Sequence, residues 1–164
     1  MELKDLSGVP RVALHPVGYE FGAATGDAWD DNWLVIAGEV TSDEQTWSFR
    51  HPSLVVDEAI EIAEWLERVA NRLEAPAALR GTGSVDPSLA FTEPNLAFSV
   101  QSYGEDIVVV RVHFSLEALP SDQRGPAANH RTEHTMSVGL EIPLSDAARA
   151  AAVWREELAL LPSR

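Results

Sequence analysis

The sequence predicts an α+β fold: an antiparallel sheet of about six to seven strands, with two helices, one central and one C-terminal, packed on one face. Three observations lead there. Period-2 alternation of apolar and polar residues recurs over residues 96–103, 106–116 and 135–144. Residues 55–73 instead carry apolar side chains at i+3/i+4 spacing, the helical period. The chain has 164 residues, 45% of them hydrophobic and 23% charged, which suits one domain spanning residues 1–164 with a buried core.

Residues 1–8 are polar and read as a frayed end or an edge strand. Residues 11–20 form a strand on Val12, Leu14, Val17 and Tyr19. Pro16 interrupts its hydrogen-bond ladder, which places it at an edge or a bulge; His15 reads as a strand-surface side chain. Residues 22–32 are a loop rich in Gly, Ala and Asp. Residues 33–40 open a hairpin whose turn lies in 41–44. A two-residue turn at Ser42 and Asp43 pairs Ile36 with Phe49 and Gly38 with Trp47, so that Gly38 makes room for the Trp47 ring. Trp33, Val35, Ala37 and Glu39 then share the other face, and Pro52 ends the second strand.

The stripe of helix 55–73 is Val55, Ala59, Ile62, Leu66, Val69 and Leu73, widened by Ile60 and Ala63. Asp57, Glu58, Glu61, Glu64 and Glu67 crowd its first half, and Arg68 and Arg72 close it, an order that suits the helix dipole. Residues 75–87 are a linker. Strands follow at 88–92 and 96–103, then a turn at Gly104 and Glu105, then a long strand over 106–116. On that strand Val108, Val110, Val112, Phe114 and Leu116 share one face. The other face passes from Ile107 and Val109 to Arg111, His113, Ser115 and Glu117, as in a strand half covered and half wet. Residues 120–132 are a polar loop. The last strand, 135–144, turns Met136, Val138, Leu140 and Ile142 inward. Ser145 is placed to cap a final helix over 146–161, which buries Ala148, Ala151, Trp154, Leu158 and Leu161 and ends at Pro162.

Charge separates the two halves of the chain. Net charge is −14, and residues 1–67 hold 14 acids against three bases, a net of −11. Such a field repels nucleic acid and anionic lipid and attracts basic protein surfaces. There are no cysteines, so disulfides and thiolate metal sites are excluded. Residues 1–16 lack the basic start and apolar core of a signal peptide, and no run approaches a membrane span; a cytoplasmic protein is expected.

Motifs that would carry chemistry do not hold together. Asp27-x-x-Asp30-Asp31-Asn32 lacks the alternate oxygens and central glycine of an EF-hand loop. His130-Arg131-Thr132-Glu133-His134 spells a zinc-protease motif, but that chemistry needs both histidines on one helical face. Here a strand follows directly, and extended backbone would spread the pair about 13 Å apart. Gly81-Thr82-Gly83-Ser84 lacks the lysine and the following helix of a phosphate loop. No serine sits in a nucleophile elbow. Neither an enzyme nor a metal or other cofactor is expected. Of the five tryptophans, Trp33, Trp47, Trp65 and Trp154 read as core, and Trp29, in the acidic loop, as exposed.

The succession VGYEF at 17–21, DDNWLVIAGEV at 30–40, WSFRHPSL at 47–54, EIAEWL at 61–66, LAFTEPNLAFSV at 89–100 and VRVHFSLEALP at 110–120 resembles the WapI-type immunity proteins of bacteria. The resemblance runs over about residues 12–162, and its motifs are structural rather than catalytic. It implies a protein that neutralises a cognate toxin domain by binding it. The resemblance carries over no binding residues; the acidic field and the exposed tryptophan point to Asp27, Trp29, Asp30, Asp31, Asp43 and Glu44 as the partner-binding residues. The alternative is a small-molecule-binding domain whose concave sheet face is lined by Trp33, Arg111 and His113, and a deep apolar pocket would mark it.

Overall fold

The computed structural model describes residues 1–77, 86–124 and 136–164. Among these, the chain runs twice through four antiparallel strands and a helix. The first unit is β1 (Glu2–Lys4), β2 (Arg11–Tyr19), β3 (Trp33–Thr41), β4 (Thr46–Val55) and α1 (Val56–Ala70). The second is β5 (Leu89–Ala90), β6 (Leu96–Tyr103), β7 (Ile107–Phe114), β8 (Met136–Pro143) and α2 (Leu144–Ala159). The fold is α+β as expected, but the strands form two four-stranded sheets, β1-β2-β3-β4 and β5-β6-β7-β8, instead of one. Each sheet is a run of neighbouring strands, and a helix closes each run.

The sheets meet along β1 and β8, where the Leu6 N–H donates to the Glu141 carbonyl (2.9 Å) and the Glu141 N–H to an Asp5 carboxylate oxygen (2.7 Å). Their inner faces meet through aromatic rings. Trp47 and Phe49 of β4 stand edge-on to Phe114 of β7, with centroids 5.4 and 6.2 Å apart. Both sheets and both helices contribute to one contiguous hydrophobic core. Three core tryptophans are buried with their indole N–H groups satisfied, which avoids the cost of an unpaired buried donor. Trp47 donates to the Ala118 carbonyl (2.9 Å), Trp65 to Ser88 Oγ (3.1 Å) and Trp154 to the Ala59 carbonyl (2.7 Å). The last of these ties α2 to α1.

Local departures from the expected elements have identifiable causes. The β3–β4 hairpin pairs Thr41 with Thr46, not Thr41 with Glu44, because Ser42 closes a longer loop by accepting the Gln45 N–H at 3.1 Å. Gly38 therefore lies opposite Phe49, and Trp47 opposite Val40. The inner face is unchanged, because the slip is two residues and side chains alternate with period two. Pro52 does not end β4. A bulge between Leu34 and Val35 absorbs it, and the strand continues to Val55. Pro16 likewise sits at a bulge in β2, beyond the reach of β1, where no donor is needed on that side.

Helix α1 stops at Ala70, and Leu73 is exposed. Helix α2 starts at Leu144, so Ser145 lies inside its first turn and does not cap it. Its buried stripe is Ala147, Ala150, Ala151 and Trp154, and Ala148 is exposed. The glycine-rich motif at 81–84 falls outside the described residues.

The close approach at Gly38 yields a test. A Cβ built there would lie 2.1 Å from the Phe49 ring, whereas one at Gly139 meets nothing within 4 Å. Gly38→Ala is expected to destabilise the fold by about 1–3 kcal/mol through overpacking. Gly139→Ala, on an exposed strand face, should leave stability unchanged or raise it by about 0.5–1 kcal/mol. Urea denaturation of the two variants side by side reads the difference.

Candidate partner-binding surface

The acidic loop at 22–32 is ordered by its own carboxylates. Asp27 accepts the N–H groups of Trp29 (2.8 Å) and Asp30 (3.4 Å), closing the 3-10 turn Asp30–Asn32. Asp31 reaches back to the N–H groups of Thr25 (2.6 Å) and Gly26 (3.1 Å), and Gly26 has the positive φ of +90° that favours glycine. The Asn32 amide donates to the Ala28 carbonyl at 2.7 Å. From outside the loop, the Arg164 guanidinium stacks over the Tyr19 ring at 4.1 Å and lies 3.9 Å from Asp31. It also donates to the Phe21 carbonyl, and Tyr19 Oη donates to the Pro162 carbonyl at 3.0 Å. The Thr25 N–H, aided by that of Gly26 and by Arg164, holds the Asp31 carboxyl below its ordinary pKa against the opposing effect of desolvation.

This scaffold presents Trp29 outward. Its side chain is 57% exposed and stands edge-on to Trp33, with centroids 5.8 Å apart. The hairpin register places Trp33 opposite Val55, so the first turn of α1 begins beside the loop. Trp29, Asn32, Val55, Val56 and Asp57 line a cleft of about 280 Å³. From there exposed acids continue along α1 at Asp57, Glu61 and Glu64, with Ile60 partly exposed among them. None of Asp30, Asp57, Glu61 and Glu64 has a side-chain hydrogen bond or ion pair among the described residues. Two other acids of the helix serve the fold. Glu58 accepts the N–H groups of Val55 (3.0 Å) and Thr92 (2.7 Å), and Glu67 pairs with Arg155.

The residues singled out in the sequence therefore divide. Asp27, Trp29, Asp30 and Asp31 are together, but Asp27 and Asp31 are engaged in building the loop. Asp43 and Glu44 are exposed at the other end of β3. Nine residues of strand at about 3.3 Å each put them nearly 30 Å away. In the sequence the helix dipole accounts for Asp57, Glu61 and Glu64, which could also present a binding face but need not. The place of Asp57 beside Trp29 follows from hairpin topology, since β4 returns to the start of β3 before the helix begins.

Trp33, Arg111 and His113 do not share a face. Trp33 belongs to β3 in the first sheet, whereas Arg111 and His113 belong to β7 in the second. His113 is buried and lies 2.8 Å from Ser99 Oγ through Nε2. An open cleft of about 700 Å³ does lie between β1–β2 and α2, but polar side chains dominate it, among them Lys4, Asp5, His15, Arg149 and Glu157. Among the described residues no three His, Asp or Glu side chains converge as a metal site requires. His130, Glu133 and His134 lie outside those residues.

The model of the immunity protein WapI-like family matches residues 3–162, and the chain belongs to that family. Searches of curated proteins and of solved structures found no match. Membership gives an immunity-type function in general and implies a partner protein such as a toxin. No helix among the described residues is long and apolar enough to cross a membrane.

Asp31 links loop order to pH. A carboxyl whose folded pKa is depressed stabilises the folded form above its unfolded pKa and loses that contribution as pH falls through its folded value. The loop should therefore hold at neutral pH and loosen below the ordinary carboxylate range. NMR titration of Asp31 is expected to give a pKa under 3.8, with the Trp29 indole resonance moving in step. Arg164→Ala should raise the Asp31 pKa and speed proteolysis within 22–32.

Proposed function

We propose that this protein binds and neutralises a cognate toxin domain through the surface formed by Trp29, Asp30 and the exposed acids of α1, and that it does so without chemistry of its own. The observation that carries this reading is the coincidence of an exposed tryptophan with the carboxylates of Asp30, Asp57 and Glu61, which have no ion-pair partner among the described residues. Tryptophan is enriched among the residues that carry binding energy at protein interfaces. Uncompensated acids around it supply a field that steers a basic surface toward it. A toxin domain that acts on nucleic acid would carry such a basic surface, and an acidic protein seated on it would occlude the active site. The net charge of −11 over residues 1–67 supports the same reading, and the field argues against nucleic acid or anionic lipid as partner. Action in the cytoplasm, where such a toxin does harm, is part of the proposal.

Asp43 and Glu44 contribute here as part of the long-range field, being too far from Trp29 to share a small contact patch. Paired reversal Asp30→Lys with Asp57→Lys is expected to slow association with the toxin domain about tenfold at low salt and to flatten its salt dependence. Asp43→Lys with Glu44→Lys should have a smaller effect on the same rate. Stopped-flow association across a salt series measures both. Unchanged rates for the Asp30 and Asp57 pair would remove the acidic surface from the account.

A further inference from the structure

We propose that the cleft between Trp29 and the first turn of α1 is a receptor for one arginine side chain of the partner. This deepens the toxin-binding reading and rests on it. Three features of the cleft complement a guanidinium, and they come from three chemical types.

The first is an aromatic wall. Trp29 is more than half exposed, and Trp33 supports it edge-on, so the ring is held in place before a ligand arrives. A guanidinium stacked on such a ring gains about 0.5–1 kcal/mol at an exposed site. The second is a carboxylate, Asp57, exposed and without a hydrogen bond or ion pair among the described residues. The third is an amide oxygen. The Asn32 Nδ2 group is committed to the Ala28 carbonyl, which leaves Oδ1 as an acceptor with no donor among the described residues. Val55 and Val56 complete the wall, and apolar carbon there suits the methylenes that precede a guanidinium.

The start of α1 argues the other way, because a helix N-terminus carries about +0.5 of an elementary charge. The Glu58 carboxylate already offsets that end by accepting the Val55 N–H, and the carboxylates of Asp57 and Asp30 add to it on the exposed side. The local field is therefore negative, and a cation is favoured over an anion. Arginine fits better than lysine on geometry. Its planar fork can stack on the indole while donating to Asp57 and Asn32, whereas an ammonium is a point charge and strongly hydrated.

The test uses three short peptides, Gly-Arg-Gly, Gly-Lys-Gly and Gly-citrulline-Gly, titrated into the full chain at low salt and followed by NMR. The arginine peptide is expected to bind in the millimolar range and to move the Trp29 Nε1–H, the Asn32 side-chain amide and the Asp57 amide together. The lysine peptide should bind more weakly at these three groups. The citrulline peptide, neutral and nearly isosteric, should not move them. Trp29→Ala should weaken the arginine response about two- to fivefold, and Asp57→Asn should do so independently. Asp57→Asn keeps the helix and guards against a loop lost in Trp29→Ala. Equal responses to arginine and lysine, or shifts spread evenly over the acidic surface, would overturn the receptor. These arms need no toxin, so a failure here leaves the wider toxin-binding reading standing, while unchanged association rates in the charge-reversal series would remove the acidic surface from that reading.

Discussion

The register of the β3–β4 hairpin is the constraint on which the rest of this molecule depends. Gly38 lies beneath the Phe49 ring so closely that no side chain fits there. A slip of two residues would push Ile36 or Val40 into that space, and a slip of one would turn Leu34, Ile36 and Val40 out of the core. With the register set, Trp47 and Phe49 reach across to Phe114 of the second sheet. The same pairing brings Val55 opposite Trp33, so α1 starts beside the acidic loop. A core contact thus decides which surface groups become neighbours.

Acidic residues in the first half of the chain do two different kinds of work. Asp27, Asp31, Glu58 and Glu67 accept backbone N–H groups or pair with arginine, so their charge is partly neutralised within the fold. Asp30, Asp57 and Glu61 have no such partner among the described residues and project their field outward. The first group orders the loop that carries Trp29. That order matters for binding, because a side chain already held in place loses less conformational freedom when a partner arrives. Arg164 extends the same effect by fastening residues 19–31 through stacking, a carbonyl and Asp31.

Much of this was legible from residue spacing alone. Period-2 runs located β6, β7 and β8, and the i+3/i+4 stripe located α1 with Ala59, Ile62, Leu66 and Val69 inward. Trp29 stood out because it is the one tryptophan outside an apolar pattern. Spacing reports which face a side chain takes, however, and not which strand lies beside it. It therefore could not divide the strands into two sheets, nor separate Trp33 from Arg111 and His113. It also treated Asp43 and Glu44 as companions of Asp30, since closeness in sequence hides the length of an extended strand. The hairpin loop was misjudged by two residues because Ser42 closes it with a side-chain bond that has no periodic signature. The place of Asp57 beside Trp29 was hidden in the same way, because first-turn acids are explained by the helix dipole before any neighbour is considered.

The account stands most directly on where the toxin domain makes contact. Hydrogen exchange of this protein, free and saturated with a toxin domain that it neutralises, measures that footprint peptide by peptide. The predicted result is new protection over residues 22–33 and 55–64, with the hairpin tip at 42–45 little changed. Protection confined to the hairpin tip, or to the cleft beside α2, with 22–33 exchanging as in the free protein, would contradict it.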